Sequence, residues 1–340
     1  MVDRFAFPFQ ELESASGVRK FHVFGKKDGP AGLKLNGVIF SEMTTELTPD
    51  YLKDIISNDG FGRDYAEKLA VMALPKSANV RRPKLMGILN ATPDSFYPGS
   101  RLLADEKLLE QMIESAPDII DIGGESTRPG SPAISVEEEI SRVSDVVKYI
   151  TSVCDIPVSI DTRHPETARR MADLGVSYIN DISGFTSGEM RKIAAEYDTN
   201  CVIMHKKGTP ADMNLHIQYD NVIAEIVLFF YERLLEMQDS GIKASRVILD
   251  PGIGFAKNIN GNLKILREIT SLHIGFPLLV GTSRKSWIGN ITGLPVRDRL
   301  PGTIASSIYL QSKGVEILRV HDVSENRSAL EVYARLLDSI

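Results

Sequence analysis

The sequence predicts a (β/α)8 TIM barrel of the α/β class, with a small N-terminal α+β appendage. Short apolar runs alternate with amphipathic stretches from Lys84 onward, eight such runs can be counted, and nearly all end in a polar residue or a glycine. Alternating strands and helices are typical of a parallel sheet with helical crossovers. Eight repeats of the unit favour a closed barrel over an open doubly wound sheet.

The predicted strands are short and rich in β-branched residues. In chain order they are 84–90, 118–124, 157–162, 178–183, 201–205, 246–252, 277–282 and 316–322. Helical patterns lie between or after them, including 137–150, 165–173, 218–239, 302–313 and 325–338. We therefore assign residues 83–340 to the barrel.

Residues 1–82 do not follow this pattern. They contain strand-like pieces (FHVFG, KLNGVIF) and helix-like pieces (TPDYLKDIIS, RDYAEKLAVMAL), with turn sequences such as KKDGP between them. We find no catalytic motif in this part. The sequence predicts a small appendage, joined to the barrel through PKSANVRRP, and leaves its role open.

Composition and charge exclude several classes of protein. With 43% hydrophobic and 25% charged residues, the chain resembles a soluble globular enzyme. The net charge of −6 disfavours nucleic acid and anionic membranes as partners. Charged residues interrupt the most apolar helical run, 222–235, and we expect a cytoplasmic protein. Cys154 and Cys201 lack the spacing of a redox or zinc site.

The ends of the predicted strands share a polar character. The residues there are Asn90, Gly123, Asp161, Asn180, His205, Asp250, Thr282 and His321. In a barrel these ends converge on one rim, where active sites are built. A single Asp or Asn at such a point is more simply a helix cap or a turn residue. Turn chemistry does not require Asp161, Asp250 and Lys285 to lie at one end, so we predict a site at this rim.

Eight motifs resemble the signatures of dihydropteroate synthases, in the order of that family. They are MGILNATPDSF (86–96), IDIGGESTRPGS (120–131), VSIDT (158–162), INDISG (179–184), MH..GTP (204–210), DPGIGF (250–255), GTSRKSWIG (281–289) and RVHDV (319–323). The resemblance covers the whole predicted barrel. It implies that 6-hydroxymethyl-7,8-dihydropterin pyrophosphate and p-aminobenzoate are joined to give 7,8-dihydropteroate and pyrophosphate, in a homodimer formed through the last helices.

The resemblance implies a pterin site made of Asp161, Asn180, Met204, Asp250 and Lys285. A carboxylate such as Asp250 suits the amidine-like edge of a pterin, since it accepts two parallel N–H bonds. Asp161 would stabilise positive charge on the ring, and Lys285 would donate to the ring carbonyl. The alternative for Asp250 and Lys285 is that they are structural partners of each other. The residues assigned to catalysis are Lys285, Asp161, Arg319 and His321.

The implied pyrophosphate site combines cations with a metal. Arg128, Arg319 and His321 would bind the phosphates, and guanidinium groups match phosphate oxygens well. By the same resemblance, Asn90 holds a Mg²⁺ ion that bridges the pyrophosphate. Without the family, the alternative for Arg128 is a surface ion-pair residue, and the alternative for His321 is a core histidine.

The implied p-aminobenzoate site consists of Phe96, Thr127, Pro129, Phe255 and Ser286. Phe255 would supply an apolar face, and Ser286 a hydrogen bond to the carboxylate. The amine of the substrate is itself the nucleophile, so no Ser-His-Asp or Cys-His arrangement is required, and we find none.

Three segments of the sequence depart from the family pattern. The first loop reads Tyr-Pro-Gly-Ser at 97–100 instead of Ser-Asp-Gly-Gly, so an acidic residue is missing where the loop is expected to close. Lys206 and Lys207 replace the usual Met-Gln, either as solvated charges or as extra attraction for pyrophosphate. Ala256 replaces a glycine, which we regard as minor.

Two alternative functions remain. A pterin-dependent methyltransferase shares ring contacts of the type of Asp161, Asn180 and Asp250, but it has no pyrophosphate to bind. The other alternative is a non-catalytic pterin-binding protein in which the altered first loop has abolished turnover. The cationic residues Lys285 and Arg319 argue against both.

Overall fold

The structure is a computed structural model. It describes residues 82–91, 103–126, 131, 133–208 and 215–337, together with five short N-terminal strands. Strands β1 (Phe9–Leu12), β2 (Lys20–Val23) and β5 (Thr44–Glu46) form an antiparallel sheet, and β3 (Leu33–Leu35) pairs with β4 (Val38–Phe40). The predicted strand-like pieces are therefore strands. The predicted helices TPDYLKDIIS and RDYAEKLAVMAL lie outside the described residues, and the domain boundary at residue 82 stays a prediction.

The described residues from 82 onward fold into the predicted parallel barrel. Its strands are β6 (Lys84–Asn90), β7 (Ile119–Gly123), β8 (Val158–Asp161), β9 (Tyr178–Asp181), β10 (Asn200–Met204), β11 (Val247–Asp250), β12 (Leu279–Val280) and β13 (Ile317–Val320). All eight lie within the predicted ranges, except that β10 begins one residue earlier. Parallel pairing runs in the order β11-β10-β9-β8-β7-β6-β13-β12. A single bridge between Leu249 and Leu278 closes the ring.

Helices follow the strands and surround the barrel. The described helices are α1 (Leu103–Glu114), α2 (Val136–Val153), α3 (Pro165–Ala172), α4 (Gly188–Glu196), α5 (Val222–Asp239), α6 (Ile259–Arg267), α7 (Ser286–Thr292), α8 (Leu300–Ser312) and α9 (Val323–Leu337). Side-chain caps begin several of them: Ser135 accepts from Glu138 N at 3.2 Å, and Asn258 accepts from Gly261 N at 2.8 Å. The five helices predicted from periodicity are present. No helix among the described residues is long and apolar enough to span a membrane.

Two separate apolar layers hold the barrel together. The larger lies between the strands and the helices, where Ile120, Ile160 and Phe230 are fully buried. The smaller fills the interior at the amino ends of the strands and consists of Met86, Ile119, Val202, Ile248, Leu279 and Ile317. Burial of each such side chain stabilises the fold by about 1.5–3 kcal/mol. Because the interior is apolar only at this end, polar inward-facing residues can occupy the other.

The cysteines behave as the sequence predicts. Cys201 is buried in β10, and burial raises the pKa of its thiol to about 12. Cys154 ends α2, where its Sγ lies 3.5 Å from the Ile150 carbonyl oxygen. Both are free thiols, and a thiol with a raised pKa is a poor nucleophile.

Candidate active site

Four predicted positions lie side by side at the carboxyl ends of adjacent strands. The pairing register sets Asn90 of β6 beside Gly123 of β7, Gly123 beside Asp161 of β8, and Asp161 beside Asn180 of β9. Paired residues of neighbouring strands face the same side of a sheet. The register therefore brings Asn90, Asp161 and Asn180 to one level of the barrel rim.

Arg319 of β13 reaches across the barrel interior to this row. Its Nε donates to Asp121 Oδ2 at 2.6 Å, and a terminal nitrogen donates to Asp161 Oδ2 at 2.7 Å. Asn180 Nδ2 also donates to Asp121 Oδ2, at 3.1 Å. The network joins strands β7, β8, β9 and β13. It leaves one oxygen each of Asp121 and Asp161 buried without a hydrogen bond from any described residue.

The surroundings disfavour the charged form of Asp161 but favour the charged form of Arg319. Burial raises the pKa of Asp161 to about 7, Arg319 opposes the rise, and the nearby carboxylates of Asp121, Glu139 and Asp181 add to it. Burial disfavours the charged form of Arg319, but Asp121 and Asp161 outweigh it and raise the pKa of the guanidinium. Arg319 therefore stays charged, whereas Asp161 titrates near neutral pH.

Asp250 ends β11 and begins a tight turn. Its Oδ1 accepts from Gly252 N at 2.7 Å, and its side chain is almost fully buried. Burial raises the pKa of Asp250, while Lys285, the Gly252 N–H and Arg319 oppose the rise. Met204 of β10 pairs in register with Asp250, so a thioether and a carboxylate lie side by side at the rim.

Lys285 lies opposite Asp250, immediately before α7. Its Nζ donates to the Ile253 carbonyl and lies 4.7 Å from the centre of the Phe255 ring. Burial lowers the pKa of Lys285 to about 8, and Asp250 opposes that change. Among the described residues no direct ion pair joins Lys285 to Asp250, although each group favours the charged form of the other.

The predicted phosphate ligands of β13 lie at different depths. His321 is exposed at the rim, and its Nδ1 lies 3.1 Å from Ser283 Oγ. Arg319 lies deeper, within the network of predicted pterin ligands. Its assignment to pyrophosphate stays a prediction, and its contacts in this structure are with carboxylates.

Arg284 connects the loop after β12, which carries Lys285, to the loop after β13, which carries His321. Arg284 donates to both oxygens of Asp322, at 2.8 and 2.6 Å, and to the Arg297 carbonyl at 3.2 Å. Its backbone lies in the left-handed region, with φ of 54°. A non-glycine residue in this region stores local strain, and here the bidentate ion pair compensates for it.

The structure describes some of the remaining predicted site residues and not others. Phe255 is half-buried beside Lys285, and Ser286 is exposed at the start of α7. Lys207 pairs with Glu225 at 2.6 Å and lies 3.8 Å from the centre of the Tyr219 ring, so its charge is engaged by protein groups rather than only by solvent. The residues that lie outside the described part of the chain are Phe96, Thr127, Arg128, Pro129 and the altered segment 97–100.

The structure describes the residues on both sides of the loop that follows β7, namely 124–126 and 131. Glu125 accepts two hydrogen bonds from Arg163, at 2.9 and 3.1 Å, and Ser126 Oγ lies 2.9 Å from Ser131 Oγ. Glu125 also lies near His164 and Glu139. Glu139 Oε2 already accepts from Thr162 at 2.9 Å and from Thr167 at 2.5 Å, so these carboxylates bind protein donors.

Several residues at or near the site are not identified from the sequence. Asp121, Lys257 and Asp322 stand within or beside the matched strings, yet the sequence alone assigns no role to them. A signal is present for Asp121, because a carboxylate in the middle of a strand is costly unless a cation pairs with it. Its partner Arg319 is 198 positions away, and only the barrel closure brings them together.

Comparison with known proteins shows the family of the chain. Residues 86–321 match the family described as pterin binding enzyme. The dihydropteroate synthase of Escherichia coli (strain K12) is 38% identical over 275 residues, which are 80% of this chain and 98% of that protein. The chain belongs to the dihydropteroate synthase family.

Solved structures of dihydropteroate synthases have the same fold. The Clostridium difficile protein, crystallised in the presence of pteroic acid, superposes with a TM-score of 0.71 at 36% identity, covering 76% of this chain and 98% of that one. The Thermus thermophilus protein, in complex with 4-aminobenzoate, superposes with a TM-score of 0.68 at 36% identity, covering 76% and 95%. The fold class predicted from the sequence is confirmed.

Proposed function

We infer that this chain is a dihydropteroate synthase, a transferase that joins 6-hydroxymethyl-7,8-dihydropterin pyrophosphate to p-aminobenzoate in folate synthesis. The observation that carries this inference is the polar layer at the barrel mouth, where Asp161, Asn180 and Asp250 lie around Arg319 and Lys285. A relative crystallised in the presence of pteroic acid and another in complex with 4-aminobenzoate support a pterin and an arylamine as the substrate classes.

We assign recognition of the pterin ring to the buried carboxylate and amide groups. Asp250 would accept N–H bonds from the amidine-like edge, Asn180 would bond a second edge, and Lys285 would donate to the ring carbonyl. These groups are fixed before a ligand arrives, since each is already held by a protein partner. Met204 would contact the ring face. Preorganised polar groups in a dry site bind more strongly than mobile ones.

The reaction exchanges one bond for another at the exocyclic methylene. The bond from this carbon to the pyrophosphate oxygen breaks, the amine nitrogen of p-aminobenzoate forms the new bond, and that nitrogen loses one proton. Positive charge develops on the pterin as pyrophosphate leaves. We propose that the ionised Asp161 stabilises this charge, because a fixed carboxylate in a low-dielectric site favours a developing cation.

We propose that pyrophosphate is bound at the outer part of the mouth. His321 is exposed there, Arg319 lies below it, and Arg128 would approach from the second loop. The residues present fit a magnesium ion in one respect, since half-buried Asn90 offers a carbonyl oxygen in the same row as Asp161. When bound, Mg²⁺ supplies charge neutralisation to the leaving group.

We propose that p-aminobenzoate lies between the loops at the rim. Phe255 would contact its ring, and Ser286, exposed at the start of α7, would donate to its carboxylate. Phe96, Thr127 and Pro129 would complete the pocket.

We also propose a homodimer in the cytoplasm. Apolar side chains are exposed along α7, α8 and the turn between them: Ile291, Leu294, Val296 and Tyr309 are 38–54% exposed. A cavity of about 370 Å³ beside them is lined by Trp287, Ile288 and Tyr309. Exposed apolar patches of this kind are typical of protein interfaces, and sedimentation of the chain with Ile291→Glu would test the assignment.

The decisive experiment measures magnesium-dependent pyrophosphate release from the pterin substrate, with and without p-aminobenzoate. We expect release that p-aminobenzoate stimulates, with dihydropteroate as product. Lys285→Ala and Arg319→Ala should each lower turnover by about 10²-fold or more while the protein stays folded. Pterin binding without release would favour the non-catalytic protein, and methyl transfer would favour the methyltransferase.

A further inference from the structure

Lys257 is a buried lysine that the proposed reaction does not use. It is 7% exposed, and its Nζ donates to the carbonyl oxygens of His205 at 3.2 Å, Gly252 at 3.0 Å and Phe255 at 3.0 Å. An ammonium group has three N–H donors, so each is used in a hydrogen bond to the backbone. A buried charge of this kind is costly and is tolerated where such partners exist.

The three carbonyls belong to two different segments. His205 follows β10, whereas Gly252 and Phe255 belong to the β11–α6 loop, residues 251–258. The two segments approach closely at Gly252, where a Cβ atom would stand 2.0 Å from the His205 carbonyl oxygen. Lys257 thus fastens the β11–α6 loop to the end of the neighbouring strand.

Asn262 of α6 holds the same loop from its other side. Its Oδ1 accepts from Gly254 N at 2.7 Å, and its Nδ2 donates to the carbonyls of Lys257 at 3.1 Å and Asn258 at 3.0 Å. Asn262 is 3% exposed. The loop is therefore fixed by two buried side chains, one of them charged.

This loop carries one wall of the candidate site. It begins directly after Asp250, it contains Phe255, and its Ile253 carbonyl accepts from Lys285. The Phe255 ring also contacts Lys285 Nζ. The positions of three proposed substrate contacts consequently depend on where Lys257 holds the loop.

Lys257 and Asp250 each favour the charged form of the other. Burial lowers the pKa of Lys257 to about 7, and Asp250 opposes this change, whereas Lys285 and Lys207 add to it. Lys257 in turn helps to keep Asp250 ionised. A neutral replacement would therefore both loosen the loop and disfavour the charge of the carboxylate that we assign to the pterin edge.

We propose that Lys257 is a positioning residue for the synthase reaction, which holds the β11–α6 loop so that Asp250 and Phe255 meet the pterin and the arylamine. This inference rests on the proposed function of the site. Lys257 does not touch substrate; it acts through the three carbonyls that it binds.

The test compares Lys257→Met with the unmodified full chain. We expect KM for the pterin substrate and for p-aminobenzoate to rise by about ten- to a hundredfold each, since small misplacements cost this much. Affinity for inorganic pyrophosphate, measured by calorimetry, should change less than about twofold, because its proposed ligands are outside the loop. The matched control is Lys264→Met, which removes a lysine from α6 itself and should leave all three values unchanged.

Two further variants keep the test decisive if Lys257→Met does not fold. Lys257→Gln retains two donors and should restore part of the lost affinity. Asn262→Asp keeps the acceptor for Gly254 N but loses both donors, so it should raise the same two KM values. Folded variants with unchanged KM values, or an equal loss of pyrophosphate affinity, would overturn the proposal. An unmodified chain that binds pterin without turnover would instead refute the proposed function, and pterin binding would then replace KM as the measure.

Discussion

Arg319 and Asp161 form an ion pair across the mouth of the barrel, with 2.7 Å between a guanidinium nitrogen and Oδ2. The two residues are 158 positions apart in the chain. The pair keeps a carboxylate beside the proposed pterin site although burial opposes its charge. The protonation state of Asp161 is therefore one property through which pH acts on this site.

We expect the activity to rise with pH through about 7, because burial raises the pKa of Asp161 from 3.8 to about 7 and the reaction needs the ionised form. Between these two values the folded state holds a proton that the unfolded state has lost. The contribution of Asp161 to the free energy of unfolding therefore falls as pH rises through this window. Asp161→Asn should remove this contribution and lower kcat/KM by about 10²–10³-fold.

The check is a pH profile of kcat/KM together with urea unfolding at pH 5 and pH 8 for both proteins. Other groups titrate in the same range, so the quantity of interest is the difference between the chain and its variant. A variant that retains the full acidic limb would show that another group is responsible.

Asp121 offers a second test of the same network. Its negative charge adds to the raised pKa of Asp161, so Asp121→Asn should shift the acidic limb of the activity profile to lower pH. The exposed Asp145, whose side chain is 92% accessible, provides the control Asp145→Asn. A limb that stays in place or moves to higher pH would contradict the assignment of the limb to Asp161.

The Arg284–Asp322 pair should matter for catalysis although neither residue is assigned to a substrate. Asp322→Asn and Arg284→Gln should each lower kcat/KM by about tenfold, and the double variant should lose no more, since partners in one interaction do not add. Glu196→Gln, in the exposed pair of Arg169 and Glu196 at 3.0 Å, is the control. Additive losses in a double-mutant cycle would refute the coupling.

A comparison of Gly252→Ala with Gly314→Ala would distinguish the cost of backbone strain from the cost of a steric clash. Its φ is 67°, and a Cβ there would stand 2.0 Å from the His205 carbonyl oxygen. Gly314 has a similar φ of 78° with open space around it. Gly314→Ala should lower the free energy of unfolding by about 1–2 kcal/mol, and Gly252→Ala by clearly more. Equal losses in urea unfolding would mean that the contact with His205 relaxes freely.

The strands, and the position of the site at their carboxyl ends, could be predicted because both depend on local sequence patterns. Apolar runs that end in polar residues mark parallel strands whose ends converge, and Asp161, Asn180 and Asp250 lie where this rule places them. The short helix α7 is not among the predicted helices, since its seven residues are too few to show a clear period.

The connections within the site could not be predicted in the same way. The sequence assigns Arg319 to an anion because guanidinium groups commonly bind phosphates, whereas the fold places it between two carboxylates. The contacts of Lys257 are with backbone carbonyls, which carry no sequence signature at all. Such contacts depend on barrel closure and loop conformation rather than on residue type.

The barrel closes between β11 and β12 through a single bridge, between Leu249 and Leu278. We call this junction of the two strands the seam. Seven strand pairs share a ladder, but in the described part of the chain β11 and β12 are joined by no more than that bridge and a bond from Leu249 N to the Pro277 carbonyl at 2.9 Å. Asp250 stands on one side of the seam and Lys285 on the other. A change in the separation of β11 and β12 would therefore move these two proposed pterin contacts relative to each other while breaking few backbone hydrogen bonds.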